Sequence, residues 1–244
     1  MAGIGTHNLR VAILETDYYA MQSLNGYLAW DRRTRVTFMT ISLDDYWEYM
    51  HETHPAELPD VMLMDTDHLG DADHLRTVIE NTHSFAPQAM VICLAQTVSP
   101  KLVEIVAEAG ARAFLLKQEV KMQIAWAIIY ALDHDFLMTE TVARLLKGSQ
   151  NKRIYHAVVL PEQREYPEMT DRIRQAIRLC VIEGMPAHLA ADEMGISLHT
   201  IRGYIKEGYR ILESYDPHEY PTDMTPQERA FMRFTALATD RKQS

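Results

Sequence analysis

The sequence has few cysteines and no long apolar run, and these shortages exclude several classes of protein. Its 244 residues include only 2 cysteines, Cys93 and Cys180. Each lies alone in an apolar segment, which favours buried thiols in a reducing compartment over a disulfide framework or a metal cluster. The longest strictly apolar run, from Ile124 to Leu132, is too short to cross a bilayer. We therefore expect a cytoplasmic protein with no membrane partner.

The sequence also lacks the common catalytic motifs. It contains no glycine-rich phosphate loop, no nucleophile elbow and no helix with metal-ligand spacing. We therefore do not expect an enzyme.

Positive charge is scarce in the first part of the chain. Residues 1–146 carry 10 Lys and Arg against 20 Asp and Glu, whereas residues 147–213 carry 10 against 9. DNA would be repelled by the first part, and it could bind only a locally basic face of the second.

Short apolar runs alternate with helical patterns over the first 146 residues. This alternation predicts an α/β fold with a doubly wound, five-stranded parallel sheet and helices on both faces. The predicted strands are 10–14, 35–41, 60–64, 90–95 and 113–117, and the predicted helices are 18–30, 43–53, 71–84, 100–109 and 119–133.

The residues that follow the predicted strands are mostly polar, and they lie at the edge of the sheet where such folds place their chemistry. They are Glu15, Thr16 and Asp17 after the first strand, Asp65, Thr66 and Asp67 after the third, Ala95 after the fourth and Lys117 after the fifth. Carboxylates beside a lysine could hold a hard cation and a phosphoryl group. Polar strand ends that only face water explain the same residues equally well.

Three closely spaced helical patterns follow a segment without periodicity. They run from Thr170 to Gly184, from Pro186 to Gly195 and from Ser197 to Ser214. The spacing of Ala191, Gly195 and Ile201 is that of a helix-turn-helix. The small residue lets the two helices approach, the glycine makes the turn, and the branched apolar residue packs the second helix back.

The third of these helices carries the concentrated basic stripe of the chain. Arg202, Lys206 and Arg210 recur every four residues and so share one face, with His199 and Thr200 in the first turn. A solvated face of a helical bundle is the alternative, but the turn spacing favours DNA binding. Asn and Gln are absent from 198–215, so Arg, Lys, His and Thr would read the bases. Gly203 would permit close backbone approach, to DNA or to a neighbouring helix.

The tail contains a further amphipathic helix pattern. Thr225 is a predicted cap, Pro226 takes the first position and Glu228 completes a capping box.

This order of motifs resembles response regulators of the NarL/FixJ type, which join a flavodoxin-like receiver domain to an all-α LuxR-like helix-turn-helix domain. The motifs are "RVAILETDYYAMQSL", "PDVMLMDTD", "EAGARAFLLK" and "GMPAHLAADEMGISLHTIRGYI". The resemblance implies a receiver-like domain at 1–146, a linker at 147–168, a helix-turn-helix domain at 169–215 and a C-terminal extension at 216–244.

The resemblance also implies roles for the pocket residues and departures from the family pattern. Asp65 takes the phosphoacceptor position, and Lys117 takes that of the lysine that neutralises the phosphoryl group. Glu15 takes the first acidic position, but Thr16 stands at the second and Ala95 replaces a Thr or Ser. Thr16 in place of a carboxylate weakens a Mg²⁺ site, unless Asp17 or Asp67 reaches the metal. Ala95 removes a hydrogen bond to the phosphoryl group, and with it the coupling to the distant helix face.

The sequence therefore predicts an atypical transcriptional regulator of the two-component type. Its partners would be double-stranded DNA and a second copy of the chain, the dimer forming through the fourth and fifth receiver helices. No cofactor is required, although Mg²⁺ could bind at the receiver. The receiver would respond to dimerisation, or to a small molecule or protein bound at the altered pocket. A protein-interaction adaptor that does not bind DNA is the alternative, with His199, Thr200, Arg202, Gly203, Lys206 and Arg210 then only a solvated face.

Overall fold

The computed structural model describes residues 7–67, 69, 71–216 and 218–238. The chain divides into two compact units after Pro161, so the described residues form a first unit at 7–161 and a second at 162–238. Within these ranges, no helix is both long and apolar enough to cross a membrane.

The first unit is built on one parallel sheet with the strand order β2-β1-β3-β4-β5-β6-β7. The strands are β1 (Leu9–Leu14), β2 (Thr34–Thr40), β3 (Val61–Asp65), β4 (Met90–Ala95), β5 (Ala113–Leu116), β6 (Leu137–Met138) and β7 (Val158–Val159). The first five strands confirm the predicted doubly wound sheet, whose order reverses between β1 and β3. The predicted number of five is wrong, because two short strands extend the edge at β5 and make a 7-stranded sheet.

Helices cover both faces of this sheet. They are α1 (Tyr18–Ala29), α2 (Leu43–Glu52), α3 (Ala72–Phe85), α4 (Pro100–Glu108), α5 (Lys117–Val120), α6 (Ile124–Ala131), α7 (Glu140–Leu145) and α8 (Lys152–Tyr155). Tyr46, Ile79 and Val106 bring α2, α3 and α4 into one apolar cluster with the sheet. The single helix predicted at 119–133 is interrupted, because Lys121 has a φ of 46° and begins a 3-10 turn between α5 and α6.

Residues 133–161, here called the added segment, contribute β6, α7, α8 and β7 to the first unit. Arg153 anchors the segment: its guanidinium donates to Oδ2 of Asp135 at 3.0 Å and to the carbonyl of Ala107 on α4. Ser149 donates to Glu104 of α4 at 2.9 Å. Residues 147–161 of the predicted linker are therefore folded against the first unit.

The second unit is helical. Its helices are α9 (Asp171–Ile177), which continues as a π-helical turn (Arg178–Ile182), α10 (Ala187–Met194), α11 (Leu198–Ser214) and α12 (Pro226–Phe234). The predicted capping box of Thr225 and Glu228 is present at the start of α12. Gln227 of α12 donates a hydrogen bond to the carbonyl of Cys180 in the π-helical turn at 3.0 Å, so the C-terminal helix is joined to the rest of the unit. Residues 239–244 of the predicted extension lie outside the described residues.

Candidate functional site

The carboxyl ends of β1, β3 and β5 bring three of the predicted pocket residues together. Leu14 pairs with Met64 in the parallel register of β1 and β3, so Glu15 and Asp65 stand side by side at one edge of the sheet. Lys117 directly follows β5 and reaches the same place. The group lies where the strand order reverses, which is the usual ligand position in open α/β sheets.

Lys117 contacts both carboxylates of this pocket. Its Nζ is 2.9 Å from Oδ1 of Asp65 and 2.8 Å from Oε2 of Glu15. Glu15 and Asp65 are each only 1% exposed, so salt screens these ion pairs much less than it would at the surface.

Burial and charge act in opposite directions on the ionisation of these groups. Burial raises the pKa of Glu15, and the Asp65 carboxylate adds to the rise, whereas Lys117 opposes it without cancelling it. Burial alone would lower the pKa of Lys117, but its hydrogen bonds to Glu15 and Asp65 outweigh burial and raise that pKa. Lys117 therefore stays protonated at neutral pH, and the pocket has its own cation.

Thr16 closes the other side of Asp65. Its hydroxyl donates a hydrogen bond to Oδ2 of Asp65 at 2.9 Å, while Lys117 donates to Oδ1 at 2.9 Å. Ala95 is fully buried beside the pocket, and its methyl group cannot replace the hydroxyl that the family resemblance implies there. Both oxygens of Asp65 thus bind donors supplied by the protein.

The other two candidate ligands are occupied elsewhere. Asp17 caps α1, where its carboxylate accepts from the backbone N–H of Ala20 at 2.9 Å. The carboxylate of Asp67 accepts from the backbone N–H of Gln96 at 2.6 Å and from the hydroxyl of Thr97 at 3.4 Å. Neither side chain replaces the carboxylate that is missing at Thr16.

Mg²⁺ is implied by the family resemblance, but the residues present do not fit it. Magnesium keeps several waters and is held by one or two carboxylates in near-octahedral geometry. The two carboxylates of the pocket, Glu15 and Asp65, both contact the ammonium group of Lys117, which stands where a cation would have to bind. Across the described ranges, no cluster of three or more His, Cys, Asp or Glu is arranged to hold a metal ion.

The second unit contains the predicted helix-turn-helix. Gly195 ends α10 in the left-handed conformation, with a φ of 63°, and supplies the turn. Ala191 on α10 is 2% exposed and Ile201 on α11 is fully buried, so both pack between the helices as their spacing predicts. Ser197 caps α11 through a hydrogen bond from the backbone N–H of Thr200 at 3.1 Å.

The outer face of α11 presents most of the predicted DNA-contacting residues to solvent. His199, Arg202, Gly203, Lys206 and Arg210 are exposed, and Thr200 is half-buried. None of the ion pairs formed by described residues involves Arg202 or Lys206. These two cations are therefore available to an anionic partner.

Two of the predicted residues make contacts that the sequence pattern does not reveal. Arg210 forms a two-pronged ion pair with Glu207, at 2.6 Å and 3.0 Å, so part of its charge is neutralised. The hydroxyl of Thr200 lies 2.8 Å from that of Ser197 and belongs to the helix cap. Base contact by Thr200 would require this bond to be shared or broken.

The two glycines of α11 have different roles. A Cβ atom on Gly203 would meet nothing within 4 Å, so this glycine is not needed for contact with the neighbouring helix. A Cβ atom on Gly208 would lie 2.5 Å from Ile177, which makes Gly208 the residue that lets α11 approach α9. The sequence could have indicated this role. Gly208 is seven residues after Ile201 and four before Leu212, so it lies on the same inward face of the helix as these two residues.

No protein-family model matches the sequence, and no curated protein matches it. Solved structures match its fold. The RcsB response regulator of Salmonella typhimurium is 17% identical over 88% of this chain and 95% of that chain, with a TM-score of 0.50. A structure of two RcsB dimers bound to two parallel DNAs is 18% identical over 82% of this chain and 90% of that chain, with a TM-score of 0.50.

A further match is RcsB from Salmonella enterica serovar Typhimurium bound to a promoter in the presence of the phosphomimetic BeF3-. It is 16% identical over 94% of this chain and 100% of that chain, with a TM-score of 0.50. At these identities the likeness concerns the fold. This chain has the two-part fold of a receiver domain followed by a helix-turn-helix domain, and the resemblance predicted from its sequence is confirmed at that level.

Proposed function

We propose that the chain is a DNA-binding transcriptional regulator of the response-regulator type, which acts by binding and not by catalysis. The observation that carries this proposal is the outer face of α11. Arg202 and Lys206 are exposed there without an ion-pair partner among the described residues, and the helix follows a turn of helix-turn-helix geometry. Structures of the same fold bound to DNA support the same reading.

In this proposal α11 enters the major groove with its first two turns towards the base edges. His199 and Arg202 lie nearest the start of the helix and would contact bases, as recognition helices do. Lys206 and Arg210 follow on the same face and would contact bases or phosphates. Gly203 has open space around its Cα, so the backbone there could approach the DNA closely.

We further propose that the receiver pocket does not work as a conventional phosphorylation switch. A phosphoryl group on Asp65 would have to displace donors from both carboxylate oxygens. The hydroxyl of Thr16 is a weaker ligand for a hard cation than a carboxylate. Ala95 offers no hydroxyl through which a phosphoryl group could pull on the neighbouring helix. Dimerisation, a ligand or a protein partner would then control the receiver.

A homodimer suits this function, because two helix-turn-helix units on a palindromic site double the number of phosphate contacts. Contacts made by α4 bear on where such a dimer could form. The outer edge of β5 pairs with β6, and Arg153 and Ser149 of the added segment bind α4. α4, one of the two receiver helices of the predicted dimer surface, is therefore partly covered by the chain itself, and we propose that dimerisation uses another surface.

One observation favours the alternative of an adaptor that does not bind DNA. Glu207 pairs with Arg210, and Glu213, which contacts Arg233, lines the same groove on α11, so carboxylates lower the positive charge of the basic face.

Titration of the full chain against salt separates the two functions. DNA would first be selected from a random duplex pool, and its dissociation constant measured from low to moderate salt. A regulator loses affinity as salt rises, with a log–log slope of about −0.9 for each phosphate contact. Lys206→Ala should lower that slope by about 1, whereas Lys101→Ala on α4 should leave it unchanged. Absence of DNA binding at every moderate salt concentration would favour the adaptor.

A further inference from the structure

The last part of the added segment, residues 141–161, has a net charge opposite in sign to that of the rest of its unit. Residues 141–161 contain 4 Lys and Arg and no Asp or Glu, whereas residues 7–140 contain 9 Lys and Arg against 20 Asp and Glu. The proposed role of α11 does not use this basic region.

Only part of the positive charge is available to a partner. Arg153 is engaged with Asp135 and with the carbonyl of Ala107, so its role is to anchor the segment. Lys147 and Lys152 are exposed, and no ion pair among the described residues involves either of them. The two lysines could therefore bind an anion without breaking an existing contact.

One of these lysines, Lys152, lines a shallow groove, and Lys147 directly precedes another of its lining residues, Gly148. The groove has a volume of about 220 Å³ and is lined by Gly148, Ser149, Gln150, Lys152 and Tyr155. The side chain of Tyr155 is 76% exposed, with its ring edge-on to that of His156 at 5.0 Å. An ammonium, a phenol and an amide on one exposed groove are the donor types that bind phosphate oxygens.

The uniform sign of the charge indicates the kind of partner. In a closed two-fold contact this surface would face its own copy, and the lysines would repel one another. A nucleic-acid backbone presents only negative charge and has no such conflict. Charge complementarity therefore favours DNA over a second copy of the chain.

We propose that Lys147, Lys152 and Tyr155, here called the strap surface, contact the phosphate backbone of the DNA that α11 binds. This inference rests on the proposed function. The acidic remainder of the first unit repels DNA, and the strap surface offsets that repulsion locally. Because the strap surface and α11 belong to one chain, binding at one raises the effective concentration of phosphates at the other.

The test compares two double variants of the full chain on the selected duplex and on random duplex of the same length. Lys147→Gln with Lys152→Gln removes the charge of the strap surface. Lys101→Gln with Lys121→Gln removes two exposed lysines elsewhere on the first unit and is the matched control. The strap variant should lower the log–log salt slope by about 2, by the same amount on both duplexes, because phosphates carry no sequence information. The control should keep the slope of the wild type.

The other outcomes separate this inference from the proposed function. If the strap variant keeps the wild-type slope while Arg202→Ala still lowers the preference for the selected duplex, the inference fails and the proposed function stands. If the wild-type chain binds no DNA, both fail. If the strap variant binds DNA normally but loses self-association in sedimentation, the surface contacts protein, and the inference is again overturned.

Discussion

Thr16 and Asp65 are joined by a hydrogen bond of 2.9 Å from the hydroxyl to Oδ2, on the opposite side of the carboxylate from Lys117. The position that the family resemblance assigns to an acidic residue thus holds a donor. A donor satisfies Asp65, whereas a second carboxylate would repel it unless a metal ion lay between them. Glu15, Thr16, Asp65 and Lys117 form one connected group, in which a single ammonium contacts two carboxylates and a hydroxyl donates to one of them.

Thr16→Asp is expected to create Mg²⁺ affinity that the wild type lacks. The change removes the donor to Asp65 and adds a third carboxylate beside Glu15 and Asp65. Isothermal titration with Mg²⁺ on the full chain would measure the binding. Thr16→Val, which removes the hydroxyl without adding charge, is the control and should not bind. Equal Mg²⁺ affinity in wild type and Thr16→Asp would contradict the closed pocket.

Gly208→Ala should destabilise the second unit. Its Cβ would lie 2.5 Å from Cγ1 of Ile177, so α11 and α9 would have to separate or Ile177 would have to move. Overpacking of this kind costs about 1–3 kcal/mol, measurable by urea denaturation.

Gly203→Ala is the matched control on the same helix. Its Cβ would meet nothing within 4 Å, and alanine favours a helix over glycine by about 0.5–1 kcal/mol, so stability should rise. A loss of DNA affinity in this more stable variant would indicate close approach of the backbone to the duplex.

Arg202→Ala should weaken specific DNA binding more than Arg210→Ala. Arg202 is exposed without an ion-pair partner among the described residues, whereas Arg210 is held by Glu207 at 2.6 Å. The loss for Arg202→Ala would be about 1–3 kcal/mol if the side chain reads a guanine, measured as the ratio of affinities for selected and random duplex. Glu207→Gln should raise affinity on both duplexes, because it frees Arg210. An unchanged ratio in Arg202→Ala would remove that residue from the reading surface.

Asp216 should stabilise the second unit at neutral pH, and this contribution to the unfolding free energy should be lost in acid. Burial alone would raise the pKa of Asp216, but hydrogen bonds from Tyr220 and His218 outweigh burial and lower it. A depressed folded-state pKa means that the contribution is complete above the ordinary aspartate pKa of about 4 and is lost as pH falls through the folded value.

Urea denaturation of the wild type and Asp216→Asn at a series of pH values measures this contribution. The wild type should lose more unfolding free energy than the variant as pH falls below about 4. Asp60 and Asp135 also have lowered pKa values, so the unfolding free energy of both proteins should still fall with pH to some extent. Parallel curves for the two proteins would exclude the contribution of Asp216.

Lys121→Gly should stabilise the first unit. Lys121 has a φ of 46° and a ψ of −126°, a conformation that glycine adopts without steric cost. Relief of such strain is worth about 1–3 kcal/mol, less the entropy that glycine loses on folding. Lys121→Ala serves as the control, because it removes the same charge but retains a Cβ atom. An equal change in both variants would show that charge, and not backbone strain, is responsible.

The sequence predicts the main strands and the helix-turn-helix because each has its own periodicity or cap. β6 and β7 were not predictable in this way, since strands such as Leu137–Met138 are too short to show alternation and form only beside β5. The order of the predicted strands was enough to predict that Glu15, Asp65 and Lys117 meet at one edge of the sheet. The bond from Thr16 to Asp65 and the pairing of Arg210 with Glu207 depend on rotamers and tertiary distances, which residue spacing does not supply.

The internal cation of the receiver pocket has a consequence for how the protein would be controlled in the cell. The ammonium group of Lys117 already contacts both carboxylates of the pocket, Glu15 and Asp65. With the receiver proposed above, the regulator would not register the supply of phosphodonors or the activity of a sensor kinase. Its output would instead follow the intracellular concentration of the chain itself, which sets how much of it is dimeric, and that of any ligand or partner that binds the receiver.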